Sequence, residues 1–161
     1  MSISLKSGQH LPDYGLPAST GQTLTTDSFR GKMPVVFVLF SDLESDVNVS
    51  LLEDLNEHLS DFGSERSQIL GVVKEAARTV RSRTDEMGIR FPILADAAGE
   101  MSREFGVGFA EEGEQPVIVI ADREGRLVRG FDPAPVEGLV GAALTTIRGL
   151  GSGAVMAHDS K

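Results

Sequence analysis

Val35-Val36-Phe37-Val38-Leu39-Phe40 forms an unbroken apolar run that is rich in β-branched valine. A half-exposed strand alternates apolar with polar residues, so this run predicts a strand that is buried on both faces of a sheet. Shorter apolar runs at 69–73 and 117–120 have the same character. The three segments are the predicted centre of one sheet.

Segments of helical periodicity lie between these strands. Apolar residues at helical spacing over 49–62 predict an amphipathic helix that ends at Gly63. The other predicted elements are a helix over 75–87, a strand at 91–94, a helix over 98–105, a hairpin turn at 122–125, a strand over 126–131 and a helix over 136–147. This alternation predicts an α/β fold with a mixed sheet and helices on both faces.

Both ends of the chain are predicted to be irregular. Residues 1–33 are rich in Gly and Pro, which predicts loops and a short hairpin. Residues 150–161 are predicted to be a flexible tail. The remaining sequence forms one predicted domain over residues 1–149, in keeping with a chain of 161 residues.

The composition argues against several classes of function. Lys and Arg number 15 against 24 Asp and Glu, so the formal net charge is −9, and nucleic acid or an anionic membrane is a poor partner. The longest strongly apolar run is too short to span a bilayer. The chain contains no cysteine, which removes disulfides, thiolate metal ligands and thiol redox chemistry.

Two further observations bear on location and cofactors. The first residues, Met1-Ser2-Ile3-Ser4-Leu5-Lys6, lack the basic segment and apolar core of a signal peptide, so a cytoplasmic location is expected. The three histidines, at positions 10, 58 and 158, are scattered and form no ligand-spaced pair. No cofactor is therefore expected.

Three blocks of residues occur in an order and at a spacing typical of one family. They are Leu11-Pro12-Asp13-Tyr14-Gly15-Leu16 with Phe29-Arg30-Gly31-Lys32, then Phe91-Pro92-Ile93-Leu94-Ala95-Asp96 with Phe105-Gly106-Val107, then Ile120-Ala121-Asp122-Arg123-Glu124-Gly125-Arg126. Over residues 3–148 the chain resembles the peroxiredoxins of the alkyl hydroperoxide reductase and thiol-specific antioxidant superfamily. The resemblance implies a thioredoxin-like fold and, by analogy, a homodimer.

The resemblance also implies where an active site would lie: in the turn after the first long strand, at the start of the next helix. The family pattern P-x-x-x-T-x-x-C falls there on residues 41–48 of this chain. Ser45 keeps the hydroxyl of the Thr, but Ser41 replaces the Pro and Asn48 replaces the peroxidatic Cys. The family places an Arg just before the third strand, and the segment 114–117 has none. Pro116 stands there, where many thioredoxin-like proteins have a cis-Pro facing this helix.

These replacements remove the family's chemistry. Peroxide reduction needs a thiolate that becomes a sulfenic acid, and an Asn amide is not nucleophilic. Negative charge nearby, as on Asp42, Glu44 and Asp46, would raise the pKa of a thiol. We expect a redox-inactive homologue that binds a protein or a small molecule through the vacated site. The candidate binding residues are Asp42, Glu44, Ser45, Asn48, Glu111, Glu112, Glu114 and Pro116.

A calcium site is one alternative. The set Asp42, Glu44, Asp46, Asn48 and Glu53, with Ser50, has the oxygen-ligand spacing of an EF-hand loop. The sixth position should be Gly for the sharp turn, and Val47 stands there. Acidic residues that complement the dipole of a helix N-terminus, with Ser45 or Asp46 as the N-cap, explain the same pattern.

Cysteine-independent enzymatic chemistry in the same pocket is the other alternative. A Ser nucleophile needs an adjacent base, and His10 and His58 are candidates by residue type alone. No G-x-S-x-G motif is present. A histidine within hydrogen-bond reach of Ser45 would favour this alternative.

Overall fold

A five-stranded mixed sheet positions every other element of the chain. The structure, a computed structural model, describes residues 6–109, 114–132 and 138–151. The strands of the sheet are β3 (Val35–Phe40), β4 (Gln68–Val73), β5 (Ile93–Ala95), β6 (Val117–Ala121) and β7 (Leu127–Phe131), in the order β5-β4-β3-β6-β7. A separate hairpin of β1 (Gly15–Pro17) and β2 (Thr23–Thr25) precedes them.

Strand β3 lies at the centre of the sheet, as its apolar run predicts, and all six of its residues are buried. It runs parallel to β4, with Phe40 beside Val73, and antiparallel to β6, with Leu39 beside Val117. Strand β5 extends the parallel half and β7 the antiparallel half. The carboxyl ends of β3 and β4 therefore meet at one edge of the sheet.

The helices are α1 (Asp46–Glu57), α2 (Leu59–Ser64), α3 (Ala77–Met87), α4 (Glu100–Glu104) and α5 (Leu139–Gly151). Side chains of α1, α2, α3 and α5 pack on Val36, Val38 and Phe40. Those of α4 and the N-terminal segment pack on Val35, Phe37 and Leu39. Alternate residues of β3 thus serve two cores, which confirms the prediction of helices on both faces. No described helix is long and apolar enough to cross a membrane.

Three predicted boundaries need correction. The helix expected over 49–62 is divided at His58, whose ring Nδ1 lies 2.9 Å from the carbonyl oxygen of Asp54 one turn earlier, where it competes for a helical acceptor. Strand β5 begins at Ile93 because Pro92 has no N–H to donate to the sheet. The last helix continues to Gly151, beyond its predicted end at 147. The rest of the predicted tail, residues 152–161, lies outside the described residues.

Candidate functional site

The chain leaves the sheet after β3 through a turn that is buried rather than open. Ser41, Asp42 and Leu43 are all buried, and Asp42 retains only 2% of its exposure. Ser45 has extended backbone angles at the N-cap position of α1, and its carbonyl accepts from Val49 N–H at 2.9 Å. The turn and the first residues of α1 form the region that sequence reasoning selected.

The carboxylate of Asp42 organises this turn. Its Oδ1 accepts hydrogen bonds from the backbone N–H groups of Glu44, at 2.8 Å, and Ser45, at 2.7 Å. Its Oδ2 accepts from Ser45 Oγ at 2.8 Å and from Ser41 Oγ at 3.2 Å. The Ser45 hydroxyl therefore donates to Asp42 and makes no capping hydrogen bond to the N–H groups of α1. Asp42 fixes the turn in the way that an Asx-turn does.

Asn48 lies behind the turn and is fully buried. Its Nδ2 donates to Ser41 Oγ at 3.2 Å, and Ser41 Oγ also lies within 3.3 Å of the Glu114 carbonyl oxygen just before β6. Asn48 Oδ1 has no hydrogen-bond partner. Buried polar atoms are paired in most proteins, so this orphaned acceptor is a site where an N–H or O–H group would be stabilised.

The polarity of the site follows from these contacts. Acceptors dominate it: the Asp42 carboxylate, the Glu114 carbonyl and Asn48 Oδ1. Within the described part of the chain, no cation bonds to Ser41, Ser45 or Asn48. A site of this polarity suits a hydrogen-bond donor or a cation and disfavours an anion such as a thiolate.

The remaining predicted residues separate into surface and interior. Glu44 and Asp46 are exposed beside the turn, Glu114 is half-buried, and Pro116 is buried directly before β6. Glu111 and Glu112 lie outside the described residues. The structure thus brings together Ser41, Asp42, Ser45, Asn48 and Glu114 by direct contact.

Neither alternative site assembles in the described part of the chain. Glu53 lies inside α1 on its exposed side, and the Asp42 carboxylate is already occupied by four donors, so no calcium cage forms. Ser45 donates to Asp42 and not to a histidine. His10 forms an isolated bridge with Arg126, and His58 lies at the far end of α1.

A group that sequence reasoning missed surrounds His58. Donor atoms of Asp54, Glu57 and His58 all lie within 4.8 Å of one another, and the spacing i, i+3, i+4 was the available signal. The hydrogen bond to the Asp54 carbonyl, with nearby carboxylates of Asp54, Asp61 and Glu57, raises the pKa of His58 against an opposing effect of burial. The three side chains are exposed or half-exposed, and Asp54 and His58 pair at 3.4 Å.

Arg83 of α3 ties the site to a distant helix. Its Nη2 donates to the carbonyl oxygen of Leu43 at 2.9 Å, and its Nη1 pairs with Glu86 at 3.0 Å. The contact spans 40 positions of sequence, which makes Arg83 a tertiary clamp on the turn.

Arg83→Met is expected to lower the free energy of unfolding by about 1 kcal/mol, because it deletes the charge-assisted hydrogen bond to Leu43 and keeps the aliphatic stem. The ion pair with exposed Glu86, which is lost as well, contributes little. Urea denaturation of the variant measures this loss. Arg81→Met, at an exposed position of the same helix, is the control and is expected to change the stability by less than about 0.5 kcal/mol. Equal midpoints for both variants would show that the clamp does not hold the turn.

A sequence profile of the AhpC/TSA family matches residues 7–129. The chain belongs to this family. Among curated members, it is 23% identical over 153 residues to peroxiredoxin Bcp of Bacillus subtilis, which covers 91% of this chain and 97% of that protein. It is 27% identical over 128 residues to alkyl hydroperoxide reductase E of Mycobacterium bovis, covering 75% of this chain and 81% of that protein.

Solved structures of AhpC/TSA relatives confirm the predicted fold. Peroxidoxin BcpB from Mycobacterium tuberculosis superposes with a TM-score of 0.82 at 18% identity, covering 91% of this chain and 98% of that one. This likeness establishes a thioredoxin-like fold of the peroxiredoxin type. Since the chain has no cysteine, it is an AhpC/TSA member without a peroxidatic cysteine.

Proposed function

We propose that this chain is a redox-inactive AhpC/TSA member that works by binding a protein through the face around Asn48. We call this the vacated face and define it as exposed Glu44, Asp46 and Gln115 with half-buried Glu114, which surround buried Asn48 and Pro116. The proposal rests on family membership, which supplies the fold, and on the absence of any thiol that could react with peroxide.

The acceptor-rich polarity of the site is the observation that carries the proposal. A thiol peroxidase needs a thiolate and favours it with a nearby cation. Here the position that the family pattern gives to the cysteine holds a buried amide, next to a chain of acceptors that includes the Asp42 carboxylate. Such surroundings would oppose a thiolate, so both the reacting group and its electrostatic support are replaced.

Burial favours a protein over a small molecule as the ligand. Ser41, Asp42 and Asn48 occupy the interior of the site themselves and bond to one another. The groups left for contact are Glu44 and Asp46, which project beside the turn, together with exposed Gln115. A partner would meet an exposed acidic rim around a filled interior, which suits a protein contact better than a small ligand that needs a cavity.

Charge reversal of the rim tests the proposal. The double variant Glu44→Arg with Asp46→Arg is expected to capture about one tenth or less of the amount of partner that the unaltered chain captures from native lysate. The reversed charges would repel the complementary surface of the partner. Glu53→Arg with Glu57→Arg makes the same charge change on exposed positions further along α1 and is expected to retain the partner. Quantitative mass spectrometry of the three captures gives the comparison.

The result separates the possible ligands. Loss in both double variants would indicate a dependence on net charge alone and would contradict a specific face. Retention in both would move the search to small molecules. A second copy of this chain is the partner that the family resemblance implies, and sedimentation of the same preparations tests it directly.

A further inference from the structure

A pocket of about 210 Å³ opens beside α4, on the opposite side of the sheet from α1. It is lined by Lys74, Gly99, Ser102, Arg103, Val107, Gly108 and Phe109. Taking roughly 30 Å³ for each water molecule in the liquid, this volume corresponds to about seven non-hydrogen atoms. The pocket is separate from the vacated face and contains none of its residues.

Two cations converge on this pocket. A Cβ built on Gly99 would lie 3.3 Å from both Lys74 Cδ and Arg103 Nη1, so the two side chains come together over a residue that has no side chain of its own. Gly99 has a φ of +73°, which favours glycine, and this position keeps the space between the cations open.

Among the described residues, no carboxylate forms an ion pair with Lys74 or Arg103. Arg103 Nη1 donates to the carbonyl oxygen of Ala98 at 3.0 Å, which orients its guanidinium. Like charges in one pocket repel each other, and a bound anion relieves that repulsion. In a chain of net charge −9, a cationic pocket is also locally distinct from its surroundings.

The other walls define the rest of the ligand. The Ser102 hydroxyl donates to Asp96 Oδ2 at 3.2 Å, so its hydrogen is not available to an anion. Half-buried Phe109 supplies apolar surface, and fully buried Val107 lies behind it.

We propose that this pocket binds a small organic anion, with its carboxylate or phosphoryl oxygens on Lys74 and Arg103 and a short apolar body against Phe109. Arg and Lys are the usual partners of such oxygens, and the flat guanidinium matches their geometry. The pocket size limits the ligand to a few carbon atoms beyond the charged group.

Binding of three matched probes to the full chain tests the proposal. Isovalerate carries a carboxylate, propyl phosphate carries a phosphoryl group, and isopentylamine carries a cation on a similar apolar body. Titrations followed by amide NMR are expected to shift Gly99 and Gly108 with at least one anion, to saturation, and with the amine not at all. The two anions together distinguish which oxyanion is preferred.

Charge-removing variants complete the test. Lys74→Met and Arg103→Met, both at exposed positions, are each expected to weaken anion binding by about tenfold or more. Arg78→Met, at an exposed position of α3, removes one positive charge outside the pocket and is expected to leave anion binding unchanged. The proposal would be overturned if neither anion bound saturably. It would also be overturned if Lys74→Met and Arg103→Met bound the anion as tightly as Arg78→Met does. Amide spectra of each variant verify that the fold is intact.

Discussion

Asp42→Ala is expected to lower the free energy of unfolding by about 3 kcal/mol, since it removes the acceptor of four hydrogen bonds in one step. Two of those donors are backbone N–H groups, which have no second acceptor in the turn. The Ser45 hydroxyl must also find a new partner, whereas buried Ser41 keeps the Glu114 carbonyl oxygen as an acceptor. Hydrogen bonds to a charged acceptor contribute more than neutral ones, which sets the size of the effect.

Denaturant unfolding measures this change, and two further variants interpret it. Asp42→Asn keeps Oδ1 for the two backbone donors and is expected to cost about half as much. Glu44→Ala alters an exposed neighbour and is expected to stay within about 0.5 kcal/mol of the unaltered chain. If Asp42→Ala matched Glu44→Ala, the carboxylate would not be the group that holds the turn.

Asn48→Cys is expected to give a poor peroxidase, although it restores the residue that the family pattern requires. The new thiol would be fully buried and would face acceptors rather than a cation, so its pKa should rise above the ordinary value. A thiol of ordinary pKa, about 8.5, is roughly 3% thiolate at neutral pH, and each unit of increase removes another factor of ten. The chain would then lack peroxidase activity for two reasons: it has no thiol at residue 48, and the surroundings of that residue disfavour a thiolate.

Ser50→Cys provides the matched control because Ser50 is exposed on the same helix. We expect Asn48→Cys to react with hydrogen peroxide no faster than this control in stopped-flow measurements. The pH dependence of thiolate absorbance should show a higher pKa for the thiol of Asn48→Cys than for that of Ser50→Cys. The unaltered chain should show no peroxide turnover above a heat-inactivated sample. If Asn48→Cys turned over peroxide at ten or more times the rate of the control, the surroundings of residue 48 would not disfavour a thiolate, and this prediction would be wrong.

The fold was largely predictable because its signals are local. The apolar run at 35–40 predicts a doubly buried strand, and Gly88 marks the end of α3 with a φ of +67°. The hairpin after β6 is set by Asp122, whose Oδ1 accepts from Glu124 and Arg126 N–H groups. The errors lie at element ends, where side chains such as that of His58 compete for backbone acceptors.

The site was predictable in place but not in chemistry. A family pattern located residues 41–48, yet the role of Asp42 as the acceptor for the turn depends on where its carboxylate points. The basic residues from Lys74 to Arg83 form one cluster in sequence, but the structure disperses them: Lys74 enters the pocket by α4 and Arg83 contacts Leu43. Spacing along the chain does not determine which side chains meet across the sheet.

The parallel register of β3 and β4 has a consequence for how molecules approach the protein. Because Phe40 lies beside Val73, the segments after these two strands leave the sheet side by side. One leads to exposed Glu44 and Asp46, and the other begins with Lys74 and Glu75, whose charges cancel. The negative field at this edge is therefore strongest beside β3 and weaker beside β4. A charged molecule would be rotated by that field before it touches the surface, and added salt would weaken the steering.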